Sequence, residues 1–143
     1  MSGVDYPKQL SLQVGPVSAV DLALYAAASG DHNPLHLDEA VASAAGFERP
    51  LVHGMLTMAY VARLFSGRFG PYGLRSLQTR FVGAASRGER LVLTAQLGGI
   101  EGECARYTVS ARTEAGVDIV TGEAVVSLSA PPHVGAEVAE AEA

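Results

Sequence analysis

Residues 54–65 read G-M-L-T-M-A-Y-V-A-R-L-F, and from Leu74 onward the spacing of apolar residues changes from helical to alternating. Met55, Leu56, Met58, Ala59, Val61, Ala62, Leu64 and Phe65 leave a helix over this stretch with almost no polar face, so it must be buried nearly all round. It is too short to span a bilayer and is interrupted by Arg63. Downstream, residues 74–85, 90–97, 105–113 and 117–129 alternate as strands do, with turn signals at Arg87-Gly88, Gly98-Gly99 and Ala115-Gly116. Upstream, residues 9–14 alternate in the same way and Gly15-Pro16 punctuates them. The expected class is therefore α+β, an antiparallel sheet of five strands wrapped around one long central helix. One helix cannot cover every edge and loop of such a sheet, so a homodimer is expected, with a heterodimer as the alternative.

Working toward the N-terminus, Ser18 and Asp21 form a capping-box pattern ahead of a helix whose apolar face is expected at Val20, Leu24, Ala27 and Ala28. Gly30 is placed to end that helix. Asn33-Pro34 marks residues 31–37 as a loop rather than a helix, and Asp38 caps a short helix through Ala45 that Gly46 ends.

The chain of 143 residues is sized for a single domain over residues 1–130, with the Ala- and Glu-rich stretch 131–143 expected to be a disordered tail. Cys104 is the one cysteine, which leaves no disulfide framework and fits a reducing compartment. The first eight residues lack the pattern of a signal peptide, so a cytoplasmic, non-membrane protein is expected. The formal net charge of −5 argues against a nucleic-acid binder, yet the charge is uneven. Between Arg49 and Arg112 stand nine arginines against three glutamates, a net of +6 that suits a phosphate-bearing ligand or an acidic carrier protein.

Two segments carry chemistry. Residues 29–36, S-G-D-H-N-P-L-H, set Asp31 and His36 five positions apart across a turn that Pro34 stiffens, so both side chains can converge on one water. One group then takes a proton from that water while the other exchanges a proton at carbon, as hydration of a conjugated double bond requires. Residues 51–55, L-V-H-G-M, deliver Gly54 to the N-terminus of the buried helix, where its amide and the helix dipole stabilise charge on a carbonyl oxygen. Ser29, Asn33 and His53 complete the candidate binding and positioning set, while Cys104 lacks any nucleophile motif. His32 and His36 are four apart with His53 nearby, but Asn33-Pro34 breaks the helix that would bring them to one face, so no metal is expected.

Residues 25–36, Y-A-A-A-S-G-D-H-N-P-L-H, followed by H-G-M at 53–55, resemble the signature of the MaoC-like, or (R)-specific, enoyl-CoA hydratases. The resemblance covers nearly the whole chain. It implies the hot-dog fold, Asp31 and His36 as the catalytic pair, Asn33 as the loop asparagine and the Gly54 amide as the oxyanion donor. It also implies a lyase that interconverts trans-2-enoyl and (R)-3-hydroxyacyl thioesters without a cofactor, coenzyme A or acyl-carrier pantetheine being part of the substrate. Relatives carry a Pro and then Gly-Asp after the Arg80-Phe81 pair, whereas this chain reads V-G-A-A-S-R-G-E over residues 82–89, which alters strand geometry beside the acyl pocket. The alternatives are a hot-dog acyl-thioesterase, disfavoured because residues 54–65 hold no Asp or Glu, and an acyl-thioester-binding or partner subunit of a heterodimeric dehydratase.

Overall fold

A computed structural model describes residues 5–128; the predicted tail at 131–143 lies outside them. Five strands form one sheet: β1 (Gln9–Val14), β2 (Leu74–Phe81), β3 (Leu91–Glu101), β4 (Cys104–Thr113) and β5 (Asp118–Ser127). Their order is β1-β3-β4-β5-β2 and every neighbouring pair is antiparallel. Three α-helices, α1 (Ala19–Ser29), α2 (Glu39–Ala44) and α3 (Gly54–Phe69), lie between β1 and β2 in the chain, and α3 packs against all five strands. This is the hot-dog fold.

Alternation explains the packing. Ala105, Tyr107, Val109 and Ala111 of β4 and Leu91, Leu93 and Ala95 of β3 turn the same way and are buried, meeting Leu56, Val61, Leu64 and Phe65 of α3. Alanines at Ala95, Ala105, Ala111 and Ala124 let the helix approach the sheet, and the rings of Phe65 and Tyr107 meet edge to face at 5.6 Å. The Tyr107 hydroxyl, buried with its ring, donates to the Pro7 carbonyl at 2.7 Å, which ties the chain's start to the middle of the sheet.

Three local expectations are corrected. Glycines 98 and 99 do not form a turn: they continue β3 through a bulge after Leu97, and the hairpin reverses at Gly102 (φ 60°), the position that requires the left-handed conformation. The buried face of α1 is Leu22 and Ala26, whereas Val20 (65% exposed) and Leu24 (64%) point outward. The segment of α1 is apolar on two sides, and only packing selects between them. Lastly, α3 is not buried all round, because Met55, Ala59 and Arg63 form an open stripe on the single chain.

Candidate active site

The loop that carries Asp31 and His36 is built by its own short polar side chains. Ser18 and Asp21 close a capping box at the start of α1, and Gly30 (φ 78°) ends the helix with its N–H donating to the Ala26 carbonyl at 3.0 Å. The Ser29 hydroxyl then accepts from the Asp31 N–H (3.1 Å), an Asp31 carboxylate oxygen from the Asn33 N–H (3.3 Å), and the Asn33 side-chain oxygen from the Leu35 N–H (3.0 Å). The stretch read as a loop thus contains one 3-10 turn, Pro34–His36, capped by Asn33 and started by a proline that needs no N–H partner there. Ser29 and Asn33 spend these contacts on shaping the chain.

That turn carries His36 back to Asp31, with Nε2 3.7 Å from a carboxylate oxygen. The other ring nitrogen, Nδ1, lies 2.8 Å from the Leu51 carbonyl, which can only accept, so Nδ1 bears the hydrogen in the neutral ring. Nε2 therefore presents its lone pair on the Asp31 side. Leu51 is itself fixed: its N–H donates to the Leu35 carbonyl at 3.1 Å and it bridges Ser86. Asp31 remains half exposed while His36 is mostly covered, so the pair sits at a surface that a ligand can reach.

His53 is 1% exposed and its ring stacks on that of His36, centroids 3.9 Å apart and planes at 23°, with Tyr25 edge-on at 4.8 Å. Its Nε2 donates to the Asp31 backbone carbonyl at 3.3 Å. Burial, then the neighbouring His36 charge, lower its pKa from 6.5, against weaker opposing effects of the Asp31 carbonyl and carboxylate. His53 is thus a neutral spacer that fastens the Asp31 loop to the head of α3. Its Nδ1 and the Thr57 hydroxyl are buried without a partner among the described residues. Asp31, His36 and His53 offer ligand atoms within 4.8 Å of one another. Tetrahedral zinc wants them roughly 3.3 Å apart with lone pairs converging. Two nearly parallel stacked rings do not converge, and the arrangement suits proton transfer better than metal binding.

Gly54 opens α3 immediately after His53, and helix geometry gives the amides at this end no intrahelical acceptor. The His53 side chain does not cap them; its carbonyl takes the N–H groups of Leu56 (3.1 Å) and Thr57 (3.2 Å). The dyad and the open helix end are therefore joined through one residue. Sequence reasoning missed the Leu51 carbonyl, which no side-chain identity announces, the Tyr25 edge and the Phe81 ring, which lies over Gly54. Only the last had a signal, in the Arg80-Phe81 pair.

Residues 6–118 match the family model described as MaoC like domain. The (R)-specific enoyl-CoA hydratase of Aeromonas caviae is 37% identical over 119 residues, covering 77% of this chain and 85% of that protein. The solved structure of the A. caviae (R)-hydratase superposes with a TM-score of 0.81 at 30% identity, covering 90% of this chain and all of that one. An R-hydratase from Pseudomonas aeruginosa, solved without ligand, gives a TM-score of 0.78 at 25% identity over 92% of each chain. With the loop geometry, the open helix end and these likenesses in agreement, the chain belongs to the MaoC-like (R)-specific enoyl-CoA hydratase family.

Proposed function

We propose that the chain reversibly hydrates trans-2-enoyl thioesters to (R)-3-hydroxyacyl thioesters. The observation that carries this reading is the pairing of the Asp31 carboxylate with His36 Nε2 at 3.7 Å, the His36 ring held by the Leu51 carbonyl so that a basic nitrogen faces the carboxylate. A water touching both groups is positioned to add its oxygen to the β-carbon of a conjugated thioester while one proton reaches the α-carbon from the same side. The thioester oxygen accepts from the Gly54 amide, so that the enolate-like charge formed on it is met by a fixed donor and the helix dipole. Dehydration retraces the path. The same end of coenzyme A and of an acyl carrier protein would present this thioester, and no cofactor enters the scheme.

A second copy of the chain is proposed to cover the open stripe of Met55, Ala59 and Arg63 on α3. The test of the activity is loss of enoyl absorbance when purified protein is mixed with crotonyl-CoA, with chiral analysis of the product. Accumulation of the (R)-3-hydroxy thioester supports the reading. Release of free thiol instead would identify a thioesterase, and inertness toward coenzyme A and carrier-protein substrates of any chain length would identify a binding or partner subunit.

A further inference from the structure

Among the described residues, two buried side-chain polar atoms lack a hydrogen-bond partner, His53 Nδ1 and the Thr57 hydroxyl, and both belong to the head of α3. The Thr57 N–H donates to the His53 carbonyl at 3.2 Å, so the two residues are neighbours in space. Each is 1% exposed. Burying a hydroxyl without a bond is costly, and a valine would fill the same space without that cost. Every other buried residue of α3 is apolar. A threonine hydroxyl inside a helix ordinarily bonds to the carbonyl four residues back. Here that is the His53 carbonyl, which already takes the N–H groups of Leu56 and Thr57. The Thr57 hydroxyl is thus left for another partner.

The His53 ring offers one. Its Nε2 donates to the Asp31 carbonyl at 3.3 Å, so in the neutral ring Nδ1 carries a lone pair and can only accept. No direct bond joins Nδ1 to the hydroxyl, and an interior water is held where two or more polar groups meet. One water that donates to Nδ1 and bonds to the Thr57 hydroxyl satisfies both atoms. The ring is then fastened at both nitrogens, whereas a ring fastened at Nε2 alone is free to turn. Its orientation matters to both members of the pair. The ring face stacks on His36 at 3.9 Å, and its Nε2 holds the backbone of Asp31, whose carboxylate meets His36.

Resting on the hydratase reading, we propose that Thr57 is a positioning residue: through one bound water its hydroxyl locks the His53 ring, and the locked ring keeps Asp31 and His36 aligned on the water they share. Thr57 touches neither the substrate nor the reacting atoms. Its contribution is geometric, and a misplacement of about 1 Å in a reacting group costs on the order of 10²-fold in rate.

The experiment measures kcat and KM with crotonyl-CoA for wild type, Thr57→Val and Thr57→Ser, beside thermal melts and nitrogen NMR of the His53 imidazole, whose Nδ1 resonance reports whether its lone pair accepts a hydrogen bond. Thr57→Ala repeats the removal of the hydroxyl should Thr57→Val fold poorly. The expected result is a kcat roughly 10- to 100-fold lower in Thr57→Val with KM little changed, a Thr57→Ser enzyme close to wild type, and an Nδ1 resonance that moves in Thr57→Val alone. A packing role reverses the order, because valine keeps the shape of threonine and serine loses a methyl group. Wild-type kcat in Thr57→Val, or one Nδ1 resonance in all three proteins, overturns this inference alone. So does a Thr57→Val that raises KM and leaves kcat unchanged, which would set Thr57 against the substrate. A wild type inert to enoyl thioesters overturns the hydratase reading and this inference with it.

Discussion

Asp31 and His36 are held to one another by backbone, and their exchange with solvent passes through Asp31, which is half exposed. Asp31→Asn keeps the Oδ1 that accepts from Asn33 N–H while removing the charge. It is therefore expected to lower kcat by roughly 10²- to 10⁴-fold with little change in melting temperature, measurable by crotonyl-CoA turnover beside a thermal melt. His53 makes a separate prediction. Its folded pKa lies below 6.5, so as pH falls the unfolded chain takes up the proton first. The stability this residue contributes is present above pH 6.5 and is lost as pH falls through the folded-state value. Melting temperature should thus decline between pH 7.5 and 5.5, and the decline should be shallower in His53→Gln. A parallel decline in the two proteins would show that His53 is not kept neutral. Of these residues, Asp31 and His36 were legible in the sequence because their spacing across Asn33-Pro34 allows few arrangements. The stacking of His53 on His36 was not, because it depends on where α3 begins relative to a loop seventeen residues earlier.

Elements were read with most success where a local rule acts within one turn. The capping box at Ser18, the left-handed Gly30 and the Asp38 cap, which accepts from the N–H groups of Ala40 and Val41, all close bonds between near neighbours. Ser18→Ala should cost about 1 kcal/mol by removing a side-chain acceptor from the head of α1. Gly30→Ala meets no atom within 4 Å, so its cost, about 1 kcal/mol or somewhat more, is that of a left-handed backbone carrying a Cβ. Denaturant unfolding measures both. If Gly30→Ala proved neutral, the helix would be ending differently from the way described. Readings that needed a choice between faces fared worse. The Val20–Leu24 face of α1 and the Gly98-Gly99 turn obey the local rules equally well, and burial of Leu22 and Ala26 and pairing with β4 decided otherwise.

At the scale of the molecule, the chain exposes Val20, Leu24 and Met55 together with the half-exposed Asp31. A monomer with such apolar surface is costly to keep in water. The protein is expected to sediment at twice the 14.8 kDa of one chain, and Ala59→Arg, which sets a charge on the open stripe of α3, to shift it to the mass of a single chain. A wild type of single-chain mass would leave that stripe as ordinary surface.

Local pattern was enough to read the class of fold and to place Asp31 and His36 beside one another as a candidate pair. A change from helical to alternating period is written in consecutive residues, and so is a carboxylate and an imidazole on either side of a stiff turn. Tertiary structure alone decided which face of each helix is covered, which carbonyl sets the His36 tautomer, and which ring stands over Gly54. Each of these joins residues far apart in the chain, and long-range contacts are selected by packing, whose alternatives look alike to any local pattern.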